Sequence, residues 1–168
     1  MEVLRRILAL GIALAAVSGC ATDDTNSTGV GATFDPLTTF PASATWAWDD
    51  AANRLPKDER IRSLDFDAIL REVVPGEFAA RGYIQASAAA PDYLLSYDLR
   101  MNTWISQTEA RSVGSLSILM VEAESGRRVW LGFIRAEMDM SNTRESRKEF
   151  ITKELRKLLK DFPPSQRK

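Results

Sequence analysis

The residue best suited to chemistry in this 168-residue chain is Cys20, its only cysteine. A lone thiol can act as a nucleophile, a redox centre, half of an intermolecular disulfide, or an attachment point for another group. The chain contains no histidine. That absence excludes a serine–histidine–aspartate triad, a histidine general base and histidine metal ligands. The composition therefore removes much of the usual catalytic chemistry.

Paired carboxylates are the next candidates, because acid–base catalysis often uses two of them. Asp65 and Asp67 are two residues apart, so on a helix their side chains point about 200° apart and cannot share a proton. Asp49 and Asp50 are typical of a solvated turn. The serines of "GSLS" at 114–117 lack the strand–turn–helix elbow of a serine hydrolase. We predict no catalytic residue, no metal site and no cofactor, and hence no enzyme.

The first twenty residues have the three zones of a secretory signal peptide. Met1–Arg6 is cationic, Ile7–Val17 is an apolar run of 11 residues, and a segment of small residues ends at Cys20. This order predicts a signal peptide rather than part of the fold. A membrane-spanning helix needs about 20 apolar residues, so a permanent transmembrane anchor is the weaker alternative.

The four residues Val17, Ser18, Gly19 and Cys20 resemble the bacterial lipobox, in which small residues precede a lipidated cysteine. The resemblance implies that Cys20 receives a diacylglyceryl group, that residues 1–19 are removed, and that the new amine is acylated, for example with palmitate. The alternative is an ordinary signal peptide with a chance cysteine. Alanine rather than aspartate follows Cys20, and by the enterobacterial sorting rule this implies the outer membrane, facing the periplasm.

The rest of the chain divides by composition. Residues 20–33 are small and polar and predict a lipidated cysteine followed by a flexible tether. Residues 34–164 predict one folded domain, and residues 165–168 a polar tail. With 45% hydrophobic residues and a formal charge of −1, the chain is typical of a globular protein and lacks the basic surface of a nucleic-acid binder.

Hydrophobic periodicity predicts the elements of this domain. Residues 57–82 have helical spacing that Pro75-Gly76 interrupts, which predicts a kink or two helices. Residues 91–106 alternate between apolar and polar positions and predict a strand with one wet face. Trp104 falls on the polar face of that strand, so we predict an exposed contact there.

Further strands are predicted around Trp46 and Trp48, at residues 82–86, 112–123 and 128–138. A last helix is predicted from a cap at Ser141 or Asn142 to Asp161. Its predicted buried stripe consists of Ile151, Leu155, Leu158 and Phe162. Its many basic residues are interspersed with acidic ones, as in the pair Glu149–Lys153, and indicate a solvated face. This order predicts an α+β two-layer sandwich, a mostly antiparallel sheet of four to five strands with two helices on one face.

Several stretches resemble one protein family. These are "TWAW" (45–48), "EFAARGY" (77–83), "PDYLLSYDL" (91–99), "GRRVWLG" (126–132) and "LLKDFPP" (158–164). Together, in order, they are similar to the bacterial lipoproteins that carry domain of unknown function 4136. The resemblance covers residues 34–164. It implies a fold and an envelope location, and it brings no established activity or catalytic residues.

The sequence therefore predicts a non-catalytic protein held on the membrane by a covalent lipid on Cys20, with a structural or interaction role. Its partner would be an envelope protein or lipid. The alternative is a periplasmic module that binds a small apolar ligand or lipid between sheet and helices. A deep apolar pocket would favour the alternative, and a flat exposed patch would favour an interaction role.

Overall fold

A computed structural model describes residues 28–57, 59–87, 90–105, 110–137 and 143–164, with the backbone alone at 60, 61, 103–105, 110 and 111. Within these residues the chain forms six strands and three helices, of which the first is a single turn. In chain order they are β1 (Gly29–Phe34), β2 (Ala44–Trp48), α1 (Glu59–Arg62), α2 (Phe66–Ala79), β3 (Tyr83–Gln85), β4 (Tyr93–Ile105), β5 (Ala110–Glu122), β6 (Arg128–Glu137) and α3 (Arg144–Leu158).

The strands form one mixed sheet in the order β1-β6-β5-β4-β2-β3. The pairs β1–β6, β6–β5 and β5–β4 are antiparallel, whereas β2 lies parallel to both β4 and β3. The α+β class is confirmed, but the described sheet has six strands rather than four to five, and two of its strand pairs are parallel. The β2–β3 pair is parallel because helices connect these strands, and a helical crossover returns the chain in its original direction.

The strand that the sequence misses is β1. Residues 29–33 were predicted to belong to the tether, and the structure places them in the sheet, paired with 131–135 of β6. Apart from Val30, this segment consists of glycine, alanine and threonine, so it shows no alternation of large apolar residues that would predict a strand. Pairing with the hydrophobic strand β6 makes it a strand, which is a tertiary effect that local propensity does not report.

Both longer helices pack on one face of the sheet, here called the inner face. The predicted buried face of β4 is confirmed, because Tyr93, Leu95, Tyr97 and Leu99 are all buried, but Ser96, on the predicted wet face, is buried as well. The inner face and the helices share one hydrophobic cluster, whose fully buried members include Trp46, Ile69, Val74, Phe78, Tyr83, Ile118, Met120, Trp130, Leu155 and Leu159. This cluster fixes the helices over the sheet.

Helix α2 is continuous through Pro75, so the alternative of two helices meeting there is wrong. It runs unbroken from Phe66 to Ala79 with Pro75 inside it. Proline removes one helical hydrogen bond, but Val73, Val74 and Phe78 are buried on either side of it, and their packing holds the helix together. The interruption lies earlier, at Asp65, whose φ of 61° separates α1 from α2.

The cap of helix α3 lies one residue after Asn142 and two after Ser141, the two predicted caps. Ser141 and Asn142 lie outside the described residues, and the cap is Thr143, whose hydroxyl accepts a hydrogen bond from the Ser146 amide at 3.2 Å. The predicted buried stripe of Ile151, Leu155, Leu158 and Phe162 is confirmed.

Candidate functional site

The residues that the sequence assigns to the lipid anchor lie outside the described part of the chain. Val17, Ser18, Gly19 and Cys20 precede residue 28, where the description begins. Lipidation therefore stays a prediction. The backbone of Trp104 lies in β4, in register with Arg111, and its side chain lies outside the described residues. Its exposure also stays a prediction.

The carboxylates considered for acid–base chemistry are bound to other groups. Asp65 accepts a hydrogen bond from Arg144 Nε at 2.9 Å. Asp67 accepts one from Arg71 Nε at 2.9 Å and another from the Tyr97 hydroxyl. Among the described residues, no group of three or more histidine, cysteine, aspartate or glutamate residues is placed to hold a metal. These contacts join one element to another.

Arg71 shows how such contacts fix the fold. Its guanidinium lies between Asp50 at 2.7 Å and Asp67 at 2.9 Å, and 5.5 Å from the centre of the Trp48 ring. The hydrogen bond to Asp50 is the largest of the effects that raise the pKa of Arg71. A cation between two carboxylates and an aromatic face ties α2 to the end of β2.

Three of the six basic residues of α3 contact α2. Arg144 and Lys148 both bind Glu72, and Arg156 binds Glu77 at 2.8 Å. The hydrogen bond from Lys148, followed by that from Arg144, lowers the pKa of Glu72. These three basic side chains, which the sequence assigned to a solvated face, therefore lie at the interface between the two helices.

An apolar cleft lies between the helices and the sheet, where the alternative function would need it. It is lined by Phe66, Leu70, Leu99, Gly114, Leu116, Ile134, Ala136, Phe150, Ile151 and Glu154. Its volume is about 30 Å³. That is room for one or two water molecules, whereas ligand sites usually offer about 300 Å³ or more. The cleft is too small to hold a lipid or a drug-sized molecule.

The opposite face of the sheet carries an apolar surface in which Phe133 is exposed and the other side chains are half-buried. Five side chains that alternate with the buried ones form it, here called the outer-face patch: Leu94, Leu119, Val121, Leu131 and Phe133. Leu131 is in register with Leu119, and Val121 with Leu94, so the side chains adjoin across three strands. Phe133 is 42% exposed. No helix in the described part of the chain packs on this face.

The sequence alone does not predict the outer-face patch, because the patch depends on the register of the strands. The alternation of β5 and β6 was visible, but which residues adjoin depends on strand register. Register brings Leu119 beside Leu131, and β1 brings Gly31 beside Phe133. A side chain at Gly31 would have its Cβ 2.5 Å from Phe133 Cζ, so the ring occupies the space that a side chain at position 31 would need.

A groove runs along β1 on the inner side of the sheet. It is lined by Val30, Gly31, Ala32, Phe34, Trp130, Lys157, Leu158, Asp161, Phe162 and Pro164, and its volume is about 440 Å³. The groove is open along the edge of β1. Phe34 at its end is 48% exposed.

Comparison with known proteins gives a family match. The family model described as "Domain of unknown function (DUF4136)" matches residues 30–164. Among curated proteins, none matches the chain in sequence. In the described residues no helix combines the length and apolar character needed to cross a membrane.

Several solved structures are similar in fold. A PDZ domain protein from Parabacteroides distasonis has a TM-score of 0.54 and 13% identity, over 83% of this chain and 36% of that one. This chain therefore spans about a third of that protein, and the likeness concerns the fold alone. A PelC dodecamer from Paraburkholderia phytofirmans has a TM-score of 0.49 and 15% identity, over 79% and 95% of the two chains. Lipoprotein GNA1162 from Neisseria meningitidis has a TM-score of 0.40 and 15% identity, over 70% and 99%.

Proposed function

From the premise that this chain belongs to the family defined by domain of unknown function DUF4136, we propose that it is a lipid-anchored protein of the Gram-negative envelope. Its domain is non-catalytic and holds a protein partner against the outer-face patch. The proposal has two parts, an anchor at Cys20 and a docking surface on the sheet, and each has its own test.

The anchor is supported by the order of the N-terminal residues. The apolar run is followed directly by Val17-Ser18-Gly19 and the chain's only cysteine. Each buried acyl methylene contributes about 0.8 kcal/mol, and stable anchoring takes two or more chains. Three chains on Cys20 would hold the protein permanently. With Ala21 following the cysteine, the proposed location is the outer membrane, facing the periplasm.

The docking surface is the part that the geometry supports, and the observation that carries it is the outer-face patch. Five adjoining apolar side chains lie on a sheet face that no described helix covers. Contiguous apolar surface of this kind usually marks an interaction site in a soluble domain. An apolar face that spans three strands suits a protein partner better than a small ligand, which requires a concave site.

Metabolic labelling tests the anchor. We expect radiolabelled palmitate on the wild-type chain and none on Cys20→Ala, together with loss of the variant from the membrane fraction. A Ser18→Ala variant keeps a small residue at its position and serves as the matched control. An unlabelled wild type would overturn the anchor and leave the docking surface untouched.

Site-specific photocross-linking tests the docking surface. A benzophenone amino acid replaces Phe133 on the patch in one variant and Leu37, which is 86% exposed and lies off the patch, in the other. We expect a discrete cross-linked protein from position 133 in intact envelopes and none from position 37. Addition of Leu131→Glu should abolish it. Equal products from both positions would contradict docking at the patch.

A second candidate function has one observation in its favour. The apolar cleft lies between sheet and helices, where a module for a small apolar ligand or lipid would bind it. The cleft would have to widen about tenfold to reach the size of ordinary ligand sites. Mass spectrometry of the purified protein under native conditions tests this function. A lipid bound in a stoichiometric amount, with no cross-link from position 133, would reverse the order of the two proposals.

A further inference from the structure

The free edge of β1 is unusual for a natural protein. Natural edge strands are protected by lysine, proline, bulges or short length, because their unpaired backbone groups invite another strand. β1 is six residues long, with the sequence GVGATF, and has no charge and no proline. The edge at the other side of the sheet, β3, has three residues. The described sheet thus has one short edge and one longer, unprotected edge.

The backbone of this edge offers a defined set of hydrogen-bonding groups. The Asp35 amide donates to the Val129 carbonyl at 3.0 Å, which continues the antiparallel register of β1 with β6. Hydrogen-bonded positions alternate along such a pair, so residues 29, 31 and 33 bond to β6. Val30, Ala32 and Phe34 therefore direct their amide and carbonyl groups away from the sheet, and their side chains line the groove along β1.

The outward-facing amide and carbonyl groups of one β1 strand can hydrogen-bond to the same groups of a second copy. If two copies of β1 pair antiparallel about Ala32, then Ala32 faces its own symmetry mate and Val30 faces Phe34. All three positions in each strand point outward, so the register completes six hydrogen bonds. Each cross-strand pair is apolar, and no charge meets its own copy. A twofold interface requires this kind of self-complementarity.

We propose that β1 pairs with β1 of a second copy of this chain, which joins two sheets into one of twelve strands. The exposed side chain of Phe34 would then lie beside the partner's Val30, over the partner's groove. The inference rests on the anchor of the proposed function for two arguments, the reach of the anchor and the effective concentration that it gives.

The length of chain before β1 is compatible with this arrangement. Nine residue steps separate Cys20 from Gly29, and at about 3.5 Å each they reach about 30 Å. In the antiparallel pair the two copies of Gly29 lie six residues apart, or about 20 Å. Two anchors can therefore reach one bilayer from the same dimer.

The small size of the contact makes anchoring important. Six residues of edge strand bury less than the roughly 1,200 Å² of a standard stable interface. Confinement of both copies to one membrane raises their effective concentration. We therefore expect the pair to form in the membrane and to dissociate when the acyl chains are absent.

A disulfide between two copies of an Ala32→Cys variant is the direct test. Ala32 is exposed, and residues in a hydrogen-bonded pair have Cα atoms about 5.5 Å apart, within disulfide range. In intact envelopes treated with a mild oxidant, we expect a disulfide-linked dimer of the full chain. Wild-type protein controls for any disulfide through Cys20. Leu37→Cys and Ile84→Cys, at exposed positions off this edge, control for random collision.

The expected yield from Ala32→Cys is at least about tenfold that of either control, as expected for a favoured encounter at high effective concentration. Circular dichroism and thermal unfolding check that each variant is folded. We expect formaldehyde to capture a dimer of the wild-type protein. Ala32→Lys places like charges opposite each other and should abolish this dimer, while Leu37→Lys should not.

Three results would overturn the pairing. They are a monomer alone from Ala32→Cys, equal dimer from all three cysteine variants, and a disulfide from position 32 to a different protein. Palmitate labelling and cross-linking from position 133 report on the anchor and the patch separately. Failure of the pairing is therefore distinguishable from failure of the proposed function.

Discussion

At the scale of single residues, Gly132 lets the helix layer meet the sheet. It is buried in β6 at a point where α3 crosses closely. A Cβ atom there would lie 2.7 Å from both Leu158 Cδ2 and Trp130 Cζ2. Both neighbours are buried in the core, so neither has free space to move into.

We predict that Gly132→Ala destabilises the domain by about 1–3 kcal/mol, the usual cost of overpacking a core. Urea denaturation followed by tryptophan fluorescence measures the change. Gly29→Ala is the matched control, because it lies in the neighbouring strand with nothing within 4 Å of the added Cβ. A similar loss of stability in both variants would contradict the packing argument.

A second prediction at this scale concerns the buried tyrosines. Burial, followed by the hydrogen bond to Asp67, raises the pKa of Tyr97. Above about pH 10 the unfolded chain loses this proton while the folded chain keeps it. The free energy of unfolding should therefore fall as the pH rises above about 10.

The variant Tyr97→Phe should lose about 1 kcal/mol at neutral pH, because a hydrogen bond is missing. Its free energy of unfolding should then fall less steeply than that of the wild type between about pH 10 and 12. Chemical denaturation across this range measures both slopes. Identical slopes would show that Tyr97 does not contribute to the alkaline loss of stability.

At the scale of elements, two glycines on either side of the end of α2 should respond oppositely to substitution. Gly76 lies inside the helix with nothing within 4 Å of an added Cβ, whereas Gly82 has φ of 84° and faces the Ala42 carbonyl oxygen. Gly76→Ala should stabilise the domain by about 0.5–1 kcal/mol. Gly82→Ala should destabilise it, because alanine is strained at that φ. Thermal unfolding of both variants measures the two changes in stability. A change in the same direction in both variants would contradict the argument.

The elements that sequence predicted well are those whose own pattern decides them. The buried face of β4 and the stripe of α3 are local, and both were confirmed. β1 and the unbroken helix at Pro75 depend on packing against distant residues, so no local pattern reports them. The outer-face patch is intermediate, since its residues were visible but their adjacency depended on register.

At the scale of the whole molecule, the proposed pairing and the outer-face patch lie close together but on different faces. Phe133 lies against Gly31 of β1, so two copies joined at β1 would bring their two patches side by side. The pairing edge uses the inner-face positions Val30, Ala32 and Phe34, whereas the patch belongs to the outer face. A dimer would thus double the docking surface without covering it.

This geometry predicts that a substitution in the pairing edge leaves docking at the patch intact, and that a substitution in the patch leaves the pairing intact. Ala32→Lys should remove the dimer and leave the cross-link from position 133, since its side chain is on the other face of β1. Conversely, Leu131→Glu should remove that cross-link and leave the disulfide formed by Ala32→Cys. Both readouts are measured in the same envelopes, with thermal unfolding as the check on folding. If Ala32→Lys in a folded protein also removed the cross-link, the partner would require the joined sheet of two copies, and docking to a single patch would be wrong.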